Sequence, residues 1–296
     1  MSRIFLQIIV TVIIISSATA QDPTDLYLFQ LQSSPDHSYH VYQPKYLSGF
    51  NQGGYTNQPW FVSNDALLVS ARIAKDTQSD IYLLSTASKK IRQITKTTAN
   101  EYSPRINPDG QHLAVVRQVQ GDSMDQQVFQ TSWPGGGAYK SVTPQTRDIG
   151  YYSWLGKDEL ALFRIEGESN RLVIENVNDH RSRRITSSIG RTLLTDKSGA
   201  VFYVHKYDDT FWYIKKYYPV TGTIDIIVQT PGKTEDFTMA PDGTYFMGVG
   251  SKLYFFHPVN QPTWKEMADL SIYGIQKITR LTISPDGKQM AMVSTK

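Results

Sequence analysis

The sequence predicts an all-β fold: a six-bladed β-propeller of four-stranded antiparallel blades, its last blade closed by strands from the N-terminal end. Three observations predict it. A turn phrase recurs as Asn107-Pro108-Asp109-Gly110, Ala240-Pro241-Asp242-Gly243 and Ser284-Pro285-Asp286-Gly287. Its full and degraded copies keep a period close to the roughly 40–45 residues of a propeller blade. The final copy stops after one hairpin, while two strand-like segments stand unpaired at the other end of the chain.

Each phrase lies between two runs of alternating apolar residues, which makes it a tight turn between antiparallel strands. Proline presets φ at the second turn position and glycine accepts a positive φ at the fourth. Degraded copies are Val62-Ser63-Asn64-Asp65 before a strand at 66–71, Leu155-Gly156-Lys157-Asp158 before 159–164, and Asp196-Lys197-Ser198-Gly199 before 200–205. Anchors at Asn64, Asp109, Lys157, Lys197, Asp242 and Asp286 are spaced by 45, 48, 40, 45 and 44 residues. Six anchors predict six blades, at about 49–95, 96–144, 145–187, 188–230, 231–275, and 276–296 joined with 22–48.

A second strand pair follows each hairpin. It reads as Asp80-Ile81-Tyr82-Leu83-Leu84 then Ile91-Arg92-Gln93-Ile94-Thr95, as Gln127-Val128-Phe129 then Lys140-Ser141-Val142-Thr143, and as Leu172-Val173-Ile174 then Arg184-Ile185-Thr186. Each unit therefore runs A, turn, B, C, D from the inside outward. The last unit ends after its B strand at 288–293, and segments 25–31 and 39–46 are the strands expected to complete it. Closing the ring this way removes open sheet edges.

The phrase Ser103-Pro104 through Pro108-Asp109-Gly110, with the Asp-Ile-Tyr-Leu strand type at Asp80-Ile81-Tyr82-Leu83, resembles the WD40-like PD40 repeats of TolB-type propellers. The resemblance covers essentially the whole chain after residue 20 and implies a fold rather than an activity. The N-terminal α/β domain of TolB has no counterpart in this sequence, and the six units leave no room for a second domain.

Residues 1–20 read as a secretory signal: Arg3 supplies the positive start, 4–15 are apolar but for Gln7 and Thr11, and Ala18-Thr19-Ala20 ends the segment. Twelve residues fall short of the ~20 that span a bilayer, so the expected product is periplasmic or secreted and not membrane-spanning. The chain has no cysteine, which excludes disulfides, thiol chemistry and a lipidated cysteine. Beyond Arg3, 29 basic side chains face 27 acidic ones, a balance that gives no reason to expect nucleic acid. The cationic stretches Arg181-Ser182-Arg183-Arg184 and Lys215-Lys216 read as solvated charges on outer strands.

In a propeller the A strands line a central channel, and the loops leading into them form one mouth, opposite the Pro-Asp-Gly turns. Those loops supply Asn57 and Gln58, Glu101 and Tyr102, Tyr151 and Tyr152, Arg191, and Glu235 and Asp236. Amide, carboxylate, guanidinium and aromatic groups around a concavity suit a polar small molecule, a peptide end or a glycan. The competing reading is packing: Tyr102, Tyr152 and Trp154 wedge between blades, and Glu101 pairs with Arg191 so that no charge is left alone.

No catalytic constellation emerges. Gly121-Asp122-Ser123-Met124-Asp125 ends in Asp where a nucleophile elbow needs Gly, and it lies in a predicted loop. The six histidines, His37, His40, His112, His180, His205 and His257, fall on different units without metal-ligand spacing. Trp133-Pro134-Gly135-Gly136-Gly137 joins two predicted strands and opens no helix, so it is a turn and not a phosphate cradle. Asn57, Glu101 and Asp236 offer oxygen ligands for Ca²⁺, and otherwise no cofactor is expected. The function these features predict is a non-catalytic, monomeric binding propeller for an envelope protein, peptide or glycan. The rival is a metal-dependent hydrolase or lactonase, or a lyase working through Glu101, Glu235 and Asp236.

Overall fold

A computed structural model describes residues 22–36, 38–73, 76–119, 125–167 and 169–295. The leader read at 1–20, His37 and residues 121–124 lie outside them. β1 (Thr24–Ser33) and β2 (Tyr39–Tyr46) come first. Blade 1 holds β3 (Tyr55–Ser63), β4 (Ala66–Arg72), β5 (Asp80–Ser85) and β6 (Ile91–Gln93); blade 2 holds β7 (Glu101–Ile106), β8 (His112–Gln118), β9 (Gln126–Ser132) and β10 (Lys140–Ser141). Blade 3 holds β11 (Ile149–Trp154), β12 (Glu159–Arg164), β13 (Arg171–Asn176) and β14 (Ser182–Ser187); blade 4 holds β15 (Ile189–Thr195), β16 (Val201–Lys206), β17 (Trp212–Tyr218) and β18 (Thr223–Gln229). Blade 5 holds β19 (Phe237–Met239), β20 (Tyr245–Val249), β21 (Lys252–His257) and β22 (Gln261–Asp269).

Blade 6 is made from both ends of the chain. β23 (Lys277–Ile283) and β24 (Gln289–Thr295) are followed in the sheet by β1 and then β2. β1 and β24 pair antiparallel from Thr24↔Thr295 to Gln30↔Gln289 without a register break. The closure expected from the truncated last repeat is what the structure shows.

The recurrent phrase forms the A–B turns. The N–H of Gly110 donates to the Asn107 carbonyl at 2.9 Å, that of Gly243 to Ala240 at 3.0 Å and that of Gly287 to Ser284 at 2.8 Å. The glycines take φ of 69°, 91° and 73°, the left-handed region in which any side chain is strained. The aspartate fixes the exit: Asp109 Oδ1 accepts the N–H groups of Gln111 and His112, and Asp286 Oδ1 that of Lys288.

The B strands are near-continuous apolar runs because both their faces are covered by neighbouring blades. Along β4, Leu67 and Val69 point into a cluster with Leu26, Leu28, Ala291 and Val293 of blade 6, while Leu68 joins Leu113 and Val115 of blade 2. Successive side chains of a strand face opposite ways, so each B strand joins two interfaces. The same division holds round the ring, with apolar clusters between blades 2 and 3, 3 and 4, 4 and 5, and 5 and 6. Outer strands are more exposed, as β14 and β18 are.

Candidate functional site

A central cavity of about 270 Å³ is lined by residues from or beside every innermost strand. Five of those strands are irregular where they face it. Gln58 and Pro59 together oppose Val69, Ser103 and Pro104 oppose Val115, and Arg280 and Leu281 oppose Met292; β11 and β15 also slip register, after Ile149 and Ile189. These are β-bulges, which bend a strand and re-aim its side chains. The first residue of each pair is left-handed although none is glycine: Gln58 at φ 52°, Ser103 at 52° and Arg280 at 49°. Such backbone costs roughly 1–3 kcal/mol per residue and is held in place by its surroundings.

The bulges set a collar. Gln58, Ser103, Tyr151, Arg191, Asp236 and Arg280 all line the cavity, and each stands six residues before its turn anchor. Asp236 is the collar's only carboxylate. Its Oδ1 accepts from Arg191 Nε at 3.0 Å and from Arg280 Nη1 at 2.9 Å, and its Oδ2 accepts from Arg191 Nη2. Burial alone would raise this carboxyl, but the charges of Arg280 and Arg191 outweigh it and hold the group well below the usual carboxylate range. Arg280 also reaches from blade 6 to blade 3, donating from Nη2 to the Tyr151 hydroxyl at 2.5 Å, with its guanidinium 5.1 Å from that ring's centroid.

Arg105 lies two residues beyond the collar on β7. It donates to Ser153 Oγ and to the Leu193 carbonyl, both at 3.3 Å, and sits 6.0 Å from the Tyr152 ring centroid. Burial pulls this guanidinium down, yet an arginine keeps its charge in proteins. Among the described residues it has no carboxylate partner. The channel therefore carries three guanidinium groups against one carboxylate.

Of the residues read from the sequence, Gln58, Tyr151, Tyr152, Arg191 and Asp236 line this channel. The others do not. Asn57 is buried, and its Oδ1 accepts the N–H of Gln58, which braces the bulge. Glu101 is fully buried, accepts from Thr97 Oγ1 at 3.0 Å and lies 3.5 Å from Arg117 Nε; burial raises its pKa. Tyr102 packs against the cluster between blades 2 and 3, with Tyr152 and Trp154. Glu235 takes the Lys206 ammonium and the backbone N–H of Arg191 beside the channel. The wedging expected of the aromatics is observed, but the expected Glu101–Arg191 pair is not: each has a different partner.

The loop-at-the-mouth placement expected for these groups is not what the chain adopts. Instead β3 starts at Tyr55 and β7 at Glu101, so most of them belong to the channel wall or to the blade interfaces. Ser103, Arg105 and Arg280 also line the channel, and loop position alone does not single them out. Reading back six residues from each anchor would have found the collar. Asn57 Oδ1, Glu101 Oε1 and both Asp236 oxygens are engaged as described, and among the described residues no group of three or more His, Cys, Asp or Glu side chains could hold a metal ion.

No family model matches the sequence, and no curated protein matches it. Solved structures do. A structure from Agrobacterium tumefaciens assigned to TolB matches with a TM-score of 0.68 at 12% identity, over 93% of this chain and 99% of that one. TolB from Acinetobacter baumannii matches with a TM-score of 0.55 at 14% identity, over 91% of this chain, which spans 64% of that one. An oligogalacturonate lyase in complex with manganese matches with a TM-score of 0.53 at 11% identity, over 94% of this chain and 98% of that one. At such identities the likeness carries the fold alone: the chain is a TolB-like six-bladed β-propeller.

Proposed function

We propose that this protein is an exported, non-catalytic binding propeller that seats an anionic end of an envelope protein, peptide or glycan in its central channel. One observation carries the reading: of three buried or half-buried guanidinium groups in the channel, Arg191 and Arg280 share the single carboxylate of Asp236 and Arg105 has none. A cation withdrawn from water is stabilised by a partner of opposite charge, and an incoming carboxylate supplies one through charge-assisted hydrogen bonds. The leader pattern at 1–20 supports export, and the reading calls for no cofactor and no second subunit.

The test is in-cell crosslinking from a photoreactive group at Gln58, followed by identification of the captured partner. Arg105→Gln should abolish capture, whereas Glu101→Gln, away from the channel, should leave it intact. Capture that survives Arg105→Gln would show that the channel is not the site.

A second reading is favoured by the likeness to the lyase: the same cations would suit the carboxylates of an acidic oligosaccharide, with breakdown rather than binding as the outcome. The donor set does not fit a divalent ion, since Asp236 is already held by two arginines. Incubation with oligogalacturonate, scored for unsaturated ends, and melting with and without Ca²⁺ or Mn²⁺ separate the readings. No product and no metal-dependent shift would retire the enzyme.

A further inference from the structure

A groove of about 640 Å³ opens between blades 2 and 3, beside the Asn107–Gly110 turn and away from the channel. The outer strand of blade 2 beside it is short: β10 has two residues and β6 of blade 1 three, where β14, β18 and β22 have six, seven and nine. The glycine-rich turn before β10 leans the other way, against Ile94 of blade 1.

Polar groups line this groove without partners. Asn107 is 6% exposed; its Nδ2 donates to Gln130 Oε1 at 2.8 Å, but its Oδ1 accepts nothing. The buried Nε1–H of Trp154 has no acceptor. Buried polar atoms are normally paired, and each exception needs a cause. At the rim stand the exposed Lys140 and Lys157, neither of which forms an ion pair among the described residues. Asp109 is already engaged by His112 Nδ1 at 2.6 Å. Behind His180, whose Nδ1 lies 3.6 Å from Glu175 Oε1, that carboxyl is fully buried, and burial raises its pKa.

We propose that this groove is a second binding site, independent of the channel, and that it takes an acidic peptide segment. One acceptor and one donor, Asn107 Oδ1 and Trp154 Nε1–H, complement the N–H and C=O of peptide amides. The two free lysines complement an Asp or Glu side chain or a terminal carboxylate.

The test follows the indole N–H resonance of Trp154 by NMR, assigned through its loss in Trp154→Phe. The probes are acetyl-Gly-Glu-Gly-amide, acetyl-Gly-Gln-Gly-amide and N-acetylglucosamine. The Glu peptide should shift the resonance and bind about fivefold more tightly than the Gln peptide, and Asn107→Ala should weaken it about fivefold. The double variant Lys140→Gln, Lys157→Gln should erase the preference for Glu. No shift with either peptide, unchanged affinity in Asn107→Ala, or a stronger response to the sugar would each overturn the proposal.

Discussion

Asp236 is held by Arg191 and Arg280, the residues that stand on either side of it in the collar, and this arrangement makes an acid-sensitivity prediction. Its folded pKa lies below the unfolded value of about 3.9, so the stability it contributes is complete above that value and is lost as pH falls through the folded one. Arg280→Gln removes one guanidinium while burial persists, so the folded pKa rises and the loss begins at higher pH. The variant should unfold at a higher pH in an acid titration followed by tryptophan fluorescence, and should lose about 3 kcal/mol in neutral urea melts. An unchanged acid midpoint would mean that Arg191 alone holds the carboxylate. At this scale the sequence was only partly legible. Arg191 and Asp236 stood out as charges near predicted loops, whereas Arg280 sat inside an apolar stretch, Ile278-Thr279-Arg280-Leu281, where alternation alone gives no sign of a bulge. Glu101 misled for the opposite reason: it looked like a loop carboxylate, but β7 begins with it and buries it between blades 1 and 2.

The bulges are the elements that convert a repeat into a site, and two of them were written in the sequence. Gln58-Pro59 and Ser103-Pro104 put proline, which lacks an N–H, where the ladder is already interrupted. The repeat phrase thus has two halves: Pro-Asp-Gly makes the turn, and the Ser-Pro before it shapes the channel wall. A bulged strand keeps its wall position only if the neighbouring blade leaves room. Gly248 on β20 provides that room for β23, since a Cβ there would meet Ile278 Cβ at 2.4 Å, two residues before Arg280. Gly150 is less crowded, with Phe163 ring carbons at 3.1 and 3.3 Å. Gly248→Ala should cost about 3 kcal/mol and Gly150→Ala about 1, measured by urea unfolding. Equal costs would show that the gap between blades 5 and 6 relaxes freely.

At the scale of the whole molecule, one strand decides whether the ring is closed. β1 pairs with β24 on one side and β2 on the other, and it contributes to two blade interfaces: Leu26 and Leu28 against blade 1, Phe29 and Leu31 against blade 5. All four side chains are at most 3% exposed. Burying each contributes about 2 kcal/mol, together on the order of 8 kcal/mol, which is comparable with the whole stability of a typical domain at about 5–15 kcal/mol. Removing residues 22–46 should therefore leave β24 as an open edge and give an aggregating chain with no cooperative melt. That outcome alone would not separate closure from mere loss of apolar area, and the register does so. Thr24 lies opposite Thr295, so a short turn can lead from the end of β24 into β1 as an ordinary hairpin. A permuted chain that begins at Leu47 and carries residues 22–46 after such a turn keeps every pairing of blade 6 within one end of the chain. It should be soluble and melt in a single transition. If the permuted chain aggregates like the deletion, the N-terminal strands are needed early in folding rather than as the closing piece of the ring.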